Sequence, residues 1–187
     1  MKNTSLLFIF WISLFLFFVF ALFALLERGA VMIGNNTMEA SLLSTLTESG
    51  SVVSRVVDGD TIEVVTNNVK EKIRLIGINA PESVDPRKGV ECFGKEASAM
   101  MKSMIEGKRV ELREDMTQEN KDRYGRLLRY VYLNDTLVNL EMIQKGYAYE
   151  YTYNIPYVHQ AEFRDAQKIA IQKAEGLWAS ATCAGKK

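Results

Sequence analysis

The sequence predicts an α+β fold, mainly β, in which five strands close into a small barrel carrying three helices, preceded by one N-terminal transmembrane helix. Three observations lead to this prediction. The 187-residue chain begins with a long apolar segment, continues with short β-rich segments separated by turn residues, and ends in segments with helical periodicity. These boundaries divide the chain into a transmembrane helix (1–27), a linker (28–50) and one domain (51–187).

The N-terminal apolar run covers residues 6–26 and is interrupted only by Ser13. Its 21 residues would form a helix of roughly 30 Å, the thickness of a bilayer core. A secretory signal usually has a shorter apolar region and a small-x-small cleavage site. We therefore favour an uncleaved signal anchor over a cleaved signal that would give a secreted protein. The positive charge of Lys2 predicts a cytoplasmic N-terminus and an extracytoplasmic domain.

The predicted strands are rich in β-branched residues and bounded by turn signals such as Asp58-Gly59-Asp60 and Asn67-Asn68. They cover residues 51–57, 61–66, 72–78, 109–113 and 127–133.

Helical spacing of apolar residues predicts three helices, which end at Gly107, Gly146 and Gly176. They cover residues 96–106, 137–145 and 157–174. In the last helix we expect Phe163, Ala166, Ile169 and Ala170 to face inward. Five strands with a helix after the third and further helices at the end are typical of an OB-fold barrel.

Composition limits the chemistry that this chain can perform. Basic and acidic side chains balance at 23 each, so any phosphate site must be local. The chain has two cysteines and a single histidine, His159, which we expect to be a surface or capping residue. A ribonuclease with paired histidines and a zinc hydrolase with several imidazole ligands are therefore excluded. Hydrolysis would depend on carboxylates and arginines, with or without an oxygen-liganded metal.

Acidic and amide side chains follow the first and third predicted strands. Segment 58–61 is by itself the signal of a plain hairpin turn. Arg74, however, lies within an apolar run, where an unpaired guanidinium would be costly to bury. The ends of neighbouring strands in a small barrel can converge, so Asp60, Asn79 and Glu82 could gather near this arginine. Such hard oxygen donors suit Ca²⁺ or Mg²⁺ better than zinc.

Two further segments allow either a structural or a functional interpretation. Arg123 and Arg126 could lie in a solvated loop, or their guanidinium forks could hold a phosphate. Segment 147–153 is dense in tyrosine. Alternating aromatic residues usually pack in the core, but exposed ones could stack on bases.

Taken together, these segments resemble the staphylococcal nuclease (thermonuclease) family, in the family's order and at nearly its spacing. The resemblance covers about residues 51–180. It is carried by Val57-Asp58-Gly59-Asp60-Thr61, by residues 73–82 and 89–98, by Asp122-Arg123-Tyr124-Gly125-Arg126, and by Phe163 through Gly176-Leu177-Trp178.

The resemblance implies a calcium-dependent nuclease, with Mg²⁺ or another divalent ion less favoured. It would hydrolyse the bond to the 5′ oxygen of DNA or RNA and leave 3′-phosphates. Arg74 and Arg126 match the arginines that contact the scissile phosphate, and Glu82 matches the proposed general base. The other matched positions are Asp60, Asn79 and the Ala80 carbonyl for the metal, Asp58 and Thr61 behind it, and Arg123, Tyr124, Tyr151 and Tyr153 for the substrate.

One position departs from the family pattern. Asn79 stands where the family usually has a second calcium-binding aspartate. An amide oxygen can coordinate calcium but brings no charge, and ligand charge helps to set affinity. We therefore expect an active enzyme that needs higher metal concentrations.

Cys92 and Cys183 could form a disulfide if the domain lies outside the cytoplasm, because that compartment is oxidising. The bond would tie the tail after Trp178 to the loop before the first helix of the domain. The alternative is two unrelated free thiols.

An active nuclease, which we expect to be monomeric, is the favoured function. The main alternative is a non-catalytic OB-type module that binds nucleic acid or protein at the membrane, and a purely structural tethered domain is a third. Loss of the catalytic carboxylates and arginines would indicate the non-catalytic binding module. Asp60, Glu82, Arg74 and Arg126 are all present, which favours the enzyme.

Overall fold

A computed structural model describes residues 50–83 and 89–186 of the chain. The predicted transmembrane helix and nearly all of the predicted linker lie outside the described residues. Within the described ranges, no helix is both long enough and apolar enough to cross a membrane.

The predicted five-stranded closed barrel is confirmed. The strands in the described ranges are β1 (Ser51–Val56), β2 (Thr61–Thr66), β3 (Val69–Leu75), β4 (Ile78–Asn79), β5 (Arg109–Arg113), β6 (Leu127–Leu133), β7 (Thr136–Leu137) and β8 (Tyr149–Glu150). Five of them pair in the order β3-β2-β1-β5-β6, and a parallel pairing of β3 with β6 closes the barrel, while the short strand β7 pairs with β6. A register shift between Val53 and Arg55 marks an irregularity in β1, of the kind that bends a strand.

The third predicted strand, 72–78, is wrong at its end, because the chain turns at Gly77. This glycine has φ of +77°, and a Cβ there would lie 2.6 Å from the Tyr157 ring and 2.9 Å from Phe163. A residue other than glycine would meet both backbone strain and a clash. The chain resumes as the separate strand β4, which pairs with β8 and brings Asn79 opposite Tyr149.

In the described part of the chain three α-helices accompany the barrel, as predicted. They are α1 (Gly94–Ile105), α2 (Val138–Gln144) and α3 (Gln160–Gln172), and a short 3₁₀ helix, Gly176–Trp178, follows α3.

The last helix begins three residues later than the predicted segment 157–174. The residues before it are held by other contacts. Tyr157 is buried and its hydroxyl donates to the carbonyl oxygen of Gly77 (3.3 Å). The backbone N–H of Val158 donates to Asp115 Oδ2 (2.8 Å). Long-range hydrogen bonds therefore set this boundary, and the local periodicity does not show them.

The prediction that Ile169 faces inward is wrong. Phe163, Ala166 and Ala170 are buried, whereas Ile169 is 50% exposed. Residues at positions i, i+3 and i+7 share one face of a helix, and Ile169, at i+6, lies off that face.

Asn139 is a buried polar residue that the sequence pattern did not reveal. It is fully buried at the start of α2. Its Oδ1 accepts the backbone N–H of Val131 (2.9 Å), and its Nδ2 donates to the carbonyl oxygens of Ile76 (2.9 Å) and Arg129 (3.3 Å). One side chain thus satisfies backbone groups of β6 and of the turn after β3.

We expect Asn139→Leu to lower the free energy of unfolding by about 3 kcal/mol, because it leaves buried backbone groups without partners. Denaturant unfolding monitored by circular dichroism measures the change. Asn139→Asp is the matched variant: it keeps the acceptor for Val131 but loses both donors. A loss below 1 kcal/mol for the leucine variant would contradict this account.

Candidate active site

The structure brings the predicted site residues together in one cleft of ≈ 1100 Å³. Segments that are far apart in sequence contribute to it: the β1–β2 turn, the end of β3 with β4, the loop before β6 and the chain after β8. The predicted residues that line the cleft are Asp58, Asp60, Thr61, Arg74, Asn79, Ala80, Glu82, Arg123, Tyr124, Arg126, Tyr151 and Tyr153.

Asp60 is the buried centre of this arrangement, with only 7% of its surface exposed. Its Oδ2 accepts the Ala80 N–H (2.9 Å) and lies 3.1 Å from Arg74 Nη2, while its Oδ1 accepts the Thr61 hydroxyl (3.0 Å). The turn that carries Asp60 is packed closely, because a Cβ on Gly59 would lie 2.5 Å from that of Ala80. The segment is therefore a hairpin turn, and it also holds the buried Asp60 carboxylate against Ala80 and Arg74.

Asp58 lies behind Asp60 and accepts its backbone N–H at Oδ1 (3.0 Å). Burial, together with the negative charge of Asp60, raises the pKa of Asp58 to about 7. Two carboxylates held this close repel each other when both are charged. A cation beside them would relieve the repulsion, so the pair is suited to the neighbourhood of a metal.

The donor set fits a hard divalent cation. Asp60 offers a carboxylate, Asn79 an amide oxygen and Ala80 a backbone carbonyl, which are the oxygen donors that calcium prefers. The described ranges contain no cluster of three or more His, Cys, Asp or Glu side chains that could hold a metal. A cation here would therefore depend on few charged ligands, and water or substrate oxygens would complete its coordination.

The two predicted phosphate-binding arginines converge on the start of β2. Arg74 contacts Asp60, and its Nη1 donates to the Leu75 carbonyl oxygen (2.6 Å). Arg126 Nη1 donates to the hydroxyl of Thr61 (3.3 Å), which itself donates to Asp60. The two guanidinium groups thus reach two neighbouring residues: that of Arg74, on β3, reaches Asp60, and that of Arg126, in the loop before β6, reaches Thr61.

Asp122 holds Arg126 in place, a role that the sequence pattern did not reveal. Its Oδ2 accepts Arg126 Nε (2.7 Å), and its Oδ1 accepts the backbone N–H groups of Tyr124 (2.9 Å) and Arg126 (3.0 Å). Partial burial acts to raise the pKa of Asp122, but the hydrogen bonds from Arg126 outweigh it and the pKa is lowered. The sequence feature that could have revealed this role is the position of Asp122 two residues before Tyr124, which is the spacing of an Asx turn.

Glu82 follows Pro81 at the cleft and is partly buried. Its Oε1 accepts the N–H of Ser83 (2.9 Å). Its own backbone N–H donates to Glu91 Oε2 (2.9 Å), a contact that sequence reasoning missed.

The predicted aromatic substrate contacts are exposed in the cleft. Tyr124 is 68% exposed, and its hydroxyl accepts Arg123 Nη2 (2.8 Å). Tyr151 and Tyr153 are 42% and 63% exposed, with ring centroids 6.4 Å apart. Exposed rings favour the stacking interpretation for these residues over core packing. Tyr149 instead packs edge-on against Trp178.

Cys92 and Cys183 form a disulfide with a Cα–Cα distance of 5.9 Å and a sequence separation of 91. The bond joins the segment before α1 to the C-terminal tail.

His159 lies at the N-cap of α3, with Nδ1 2.8 Å from Glu162 Oε2 and its ring against Tyr130. It is not among the described residues that line the cleft.

Comparison with known proteins agrees with this geometry. Residues 72–180 match the family model described as staphylococcal nuclease homologue. The chain is 36% identical over 138 residues to a thermonuclease of Staphylococcus hyicus, covering 74% of this chain and 80% of that protein. It is 38% identical over 127 residues to a thermonuclease of Staphylococcus intermedius, covering 68% and 74%. Endonuclease YncB of Bacillus subtilis is 32% identical over 129 residues, covering 67% and 60%. The chain belongs to the staphylococcal nuclease family.

Proposed function

We propose that this chain is a calcium-dependent nuclease that hydrolyses phosphodiester bonds of DNA, RNA or both to 3′-phosphate products. The observation that carries the proposal is the convergence of Arg74 and Arg126 on Asp60 and Thr61, in the cleft that also contains Glu82. The names of the relatives, thermonuclease and endonuclease, point to the same chemistry.

The residues suit hydrolysis of a phosphodiester in the following way. The guanidinium groups of Arg74 and Arg126 bind the scissile phosphate and stabilise the negative charge that develops on its oxygens. Glu82 accepts a proton from the attacking water, which forms the new P–O bond. The bond to the 5′ oxygen breaks, and that oxygen takes a proton from solvent, leaving a 5′-hydroxyl. A calcium ion at Asp60, Asn79 and the Ala80 carbonyl would polarise a phosphoryl oxygen.

The purified full-length chain tests this proposal when it is incubated with DNA and with RNA, in Ca²⁺ or in chelator. We expect cleavage in Ca²⁺, loss of cleavage in chelator, and products that a phosphatase converts to 3′-hydroxyl ends. Glu82→Gln should lower the rate by about 10²–10⁴-fold. Binding without cleavage across a wide calcium range would favour the non-catalytic binding module. Cleavage that Glu82→Gln leaves unchanged would indicate a contaminating enzyme.

Asn79→Asp should tighten calcium binding by roughly tenfold or more, because it adds a negative charge to a site with few charged ligands. Isothermal titration calorimetry measures the dissociation constant. Asn134→Asp is the matched control, since it makes the same charge change at the exposed turn between β6 and β7. Equal calcium affinity in the two variants would argue against Asn79 as a ligand position.

We also propose that the domain acts outside the cytoplasm, tethered by the N-terminal apolar segment or released after its cleavage. The disulfide between Cys92 and Cys183 supports this location, because disulfides persist in oxidising compartments. Cell fractionation, with mass spectrometry of the mature N-terminus, distinguishes a tethered chain from a secreted one. Recovery of the reduced protein in the cytoplasm would contradict the proposal.

A further inference from the structure

Glu91 contacts the segment that carries Glu82 through both its side chain and its backbone. The backbone N–H of Glu82 donates to Glu91 Oε2 (2.9 Å), and the backbone N–H of Glu91 donates to the carbonyl oxygen of Glu82 (2.8 Å). Glu91 therefore holds both polar backbone groups of Glu82. Two hydrogen bonds between the same pair of residues fix the distance and the orientation of one segment against the other.

The start of α1 packs closely against the carbonyl group of Glu82. Gly94 donates its N–H to the Glu91 carbonyl oxygen (3.0 Å). A Cβ on Gly94 would overlap the carbonyl oxygen of Glu82, so only glycine allows this close approach. The first turn of α1, Glu91 and Glu82 thus form one packed unit at the edge of the cleft.

The disulfide ties this unit to the C-terminal tail, because Cys92 is the residue next to Glu91. Cys183 is buried, at 6% exposed, whereas Cys92 is exposed. The tail around Cys183 is itself well anchored: Leu177 is fully buried and its N–H donates to the Gly146 carbonyl oxygen (2.9 Å). The covalent bond therefore joins the residue next to Glu91 to this anchored tail.

We propose that Glu91 is a positioning residue for Glu82, and that the Cys92–Cys183 disulfide keeps Glu91 in the position where it can act. This inference rests on the proposed role of Glu82 as general base. A base must lie within hydrogen-bond reach of the water that it activates, and a displacement of about 1 Å can cost about a hundredfold in rate. Substrate binding depends on the arginines and tyrosines of other segments, so loosening this unit affects kcat and leaves KM nearly unchanged.

Steady-state kinetics of the full-length chain with DNA and saturating Ca²⁺ tests the proposal. We expect Glu91→Ala to lower kcat by about tenfold or more with KM within about twofold of wild type. Glu91→Gln should recover most of the activity, because its amide oxygen can still accept the Glu82 N–H although the charge is lost. Asp165→Ala, an equal loss of charge at an exposed position of α3 away from the cleft lining, should match wild type.

The double variant Cys92→Ser/Cys183→Ser should show the same loss of kcat without a matching change in KM. It is assayed at a temperature where circular dichroism shows native secondary structure, so that unfolding does not account for the loss. If wild type cleaves DNA and Glu91→Ala cleaves it equally fast, the positioning role is overturned and the proposed function stands. If wild type does not cleave at all, the proposed function itself fails. Equal losses in Glu91→Ala and Glu91→Gln would assign the effect to charge and overturn the hydrogen-bond account.

Discussion

Arg126→Ala should lower kcat for DNA cleavage by about 10²–10³-fold, the cost of removing a fixed donor to the charge that develops in the transition state. Arg126 is suited to this role because Asp122 fixes its guanidinium through Nε and Nη2, each 2.7 Å from the same carboxylate oxygen. Its Nη1 then points to Thr61 beside Asp60. The arginine is thus positioned before substrate arrives, and little reorganisation is needed during the reaction.

Two further substitutions separate charge from geometry at this position. Arg126→Lys keeps the charge but loses the planar fork, and it should recover only a minor part of the activity. Asp122→Asn keeps the arginine but weakens its support, so kcat should fall to an intermediate value. Arg113→Ala is the control: this arginine lies on β5 over the Tyr132 ring and is not among the described residues that line the cleft. Comparable losses in the Arg113 and Arg126 variants would contradict the phosphate-binding role.

The elements that the sequence predicted well are those in which local pattern and tertiary environment agree. The barrel strands are rich in β-branched residues between clear turn signals, and each predicted strand has a counterpart in the structure. The elements that it missed depend on distant partners. The turn at Gly77 exists because the Tyr157 and Phe163 rings occupy the space beside it, and these residues are about 80 positions away in the sequence.

The residues of the site also divide into those that the sequence revealed and those that it did not. Residues that would contact metal or substrate have chemistry that is visible in the sequence, such as an arginine inside an apolar run, and they share one cleft. Residues that support them do not stand out. Glu91 and Asp122 look like ordinary surface carboxylates until their partners are known, and Asn139 looks like a helix-start residue rather than a buried bridge. The hydrogen bonds of Glu91 and Asn139 have no local sequence signal, whereas those of Asp122 follow the short-range spacing of an Asx turn.

Replacing both cysteines, in Cys92→Ser/Cys183→Ser, should lower the free energy of unfolding by up to about 4–5 kcal/mol. The bond closes a loop with a sequence separation of 91, and the chain-entropy model gives this value for a loop of that length. The loss acts mainly through the unfolded chain, which becomes freer to expand. We therefore expect the melting temperature to fall by on the order of 10 °C.

Urea unfolding of the full-length chain gives two readouts of this effect. The midpoint should fall, and the dependence of the unfolding free energy on urea should steepen, because an unfolded chain without the cross-link exposes more surface. Wild type treated with a dithiol reductant provides the control and should behave like the double variant. A lower midpoint with an unchanged slope would locate the effect in the folded state, in lost packing around Cys183. An unchanged midpoint would contradict a stabilising role for the disulfide in either state.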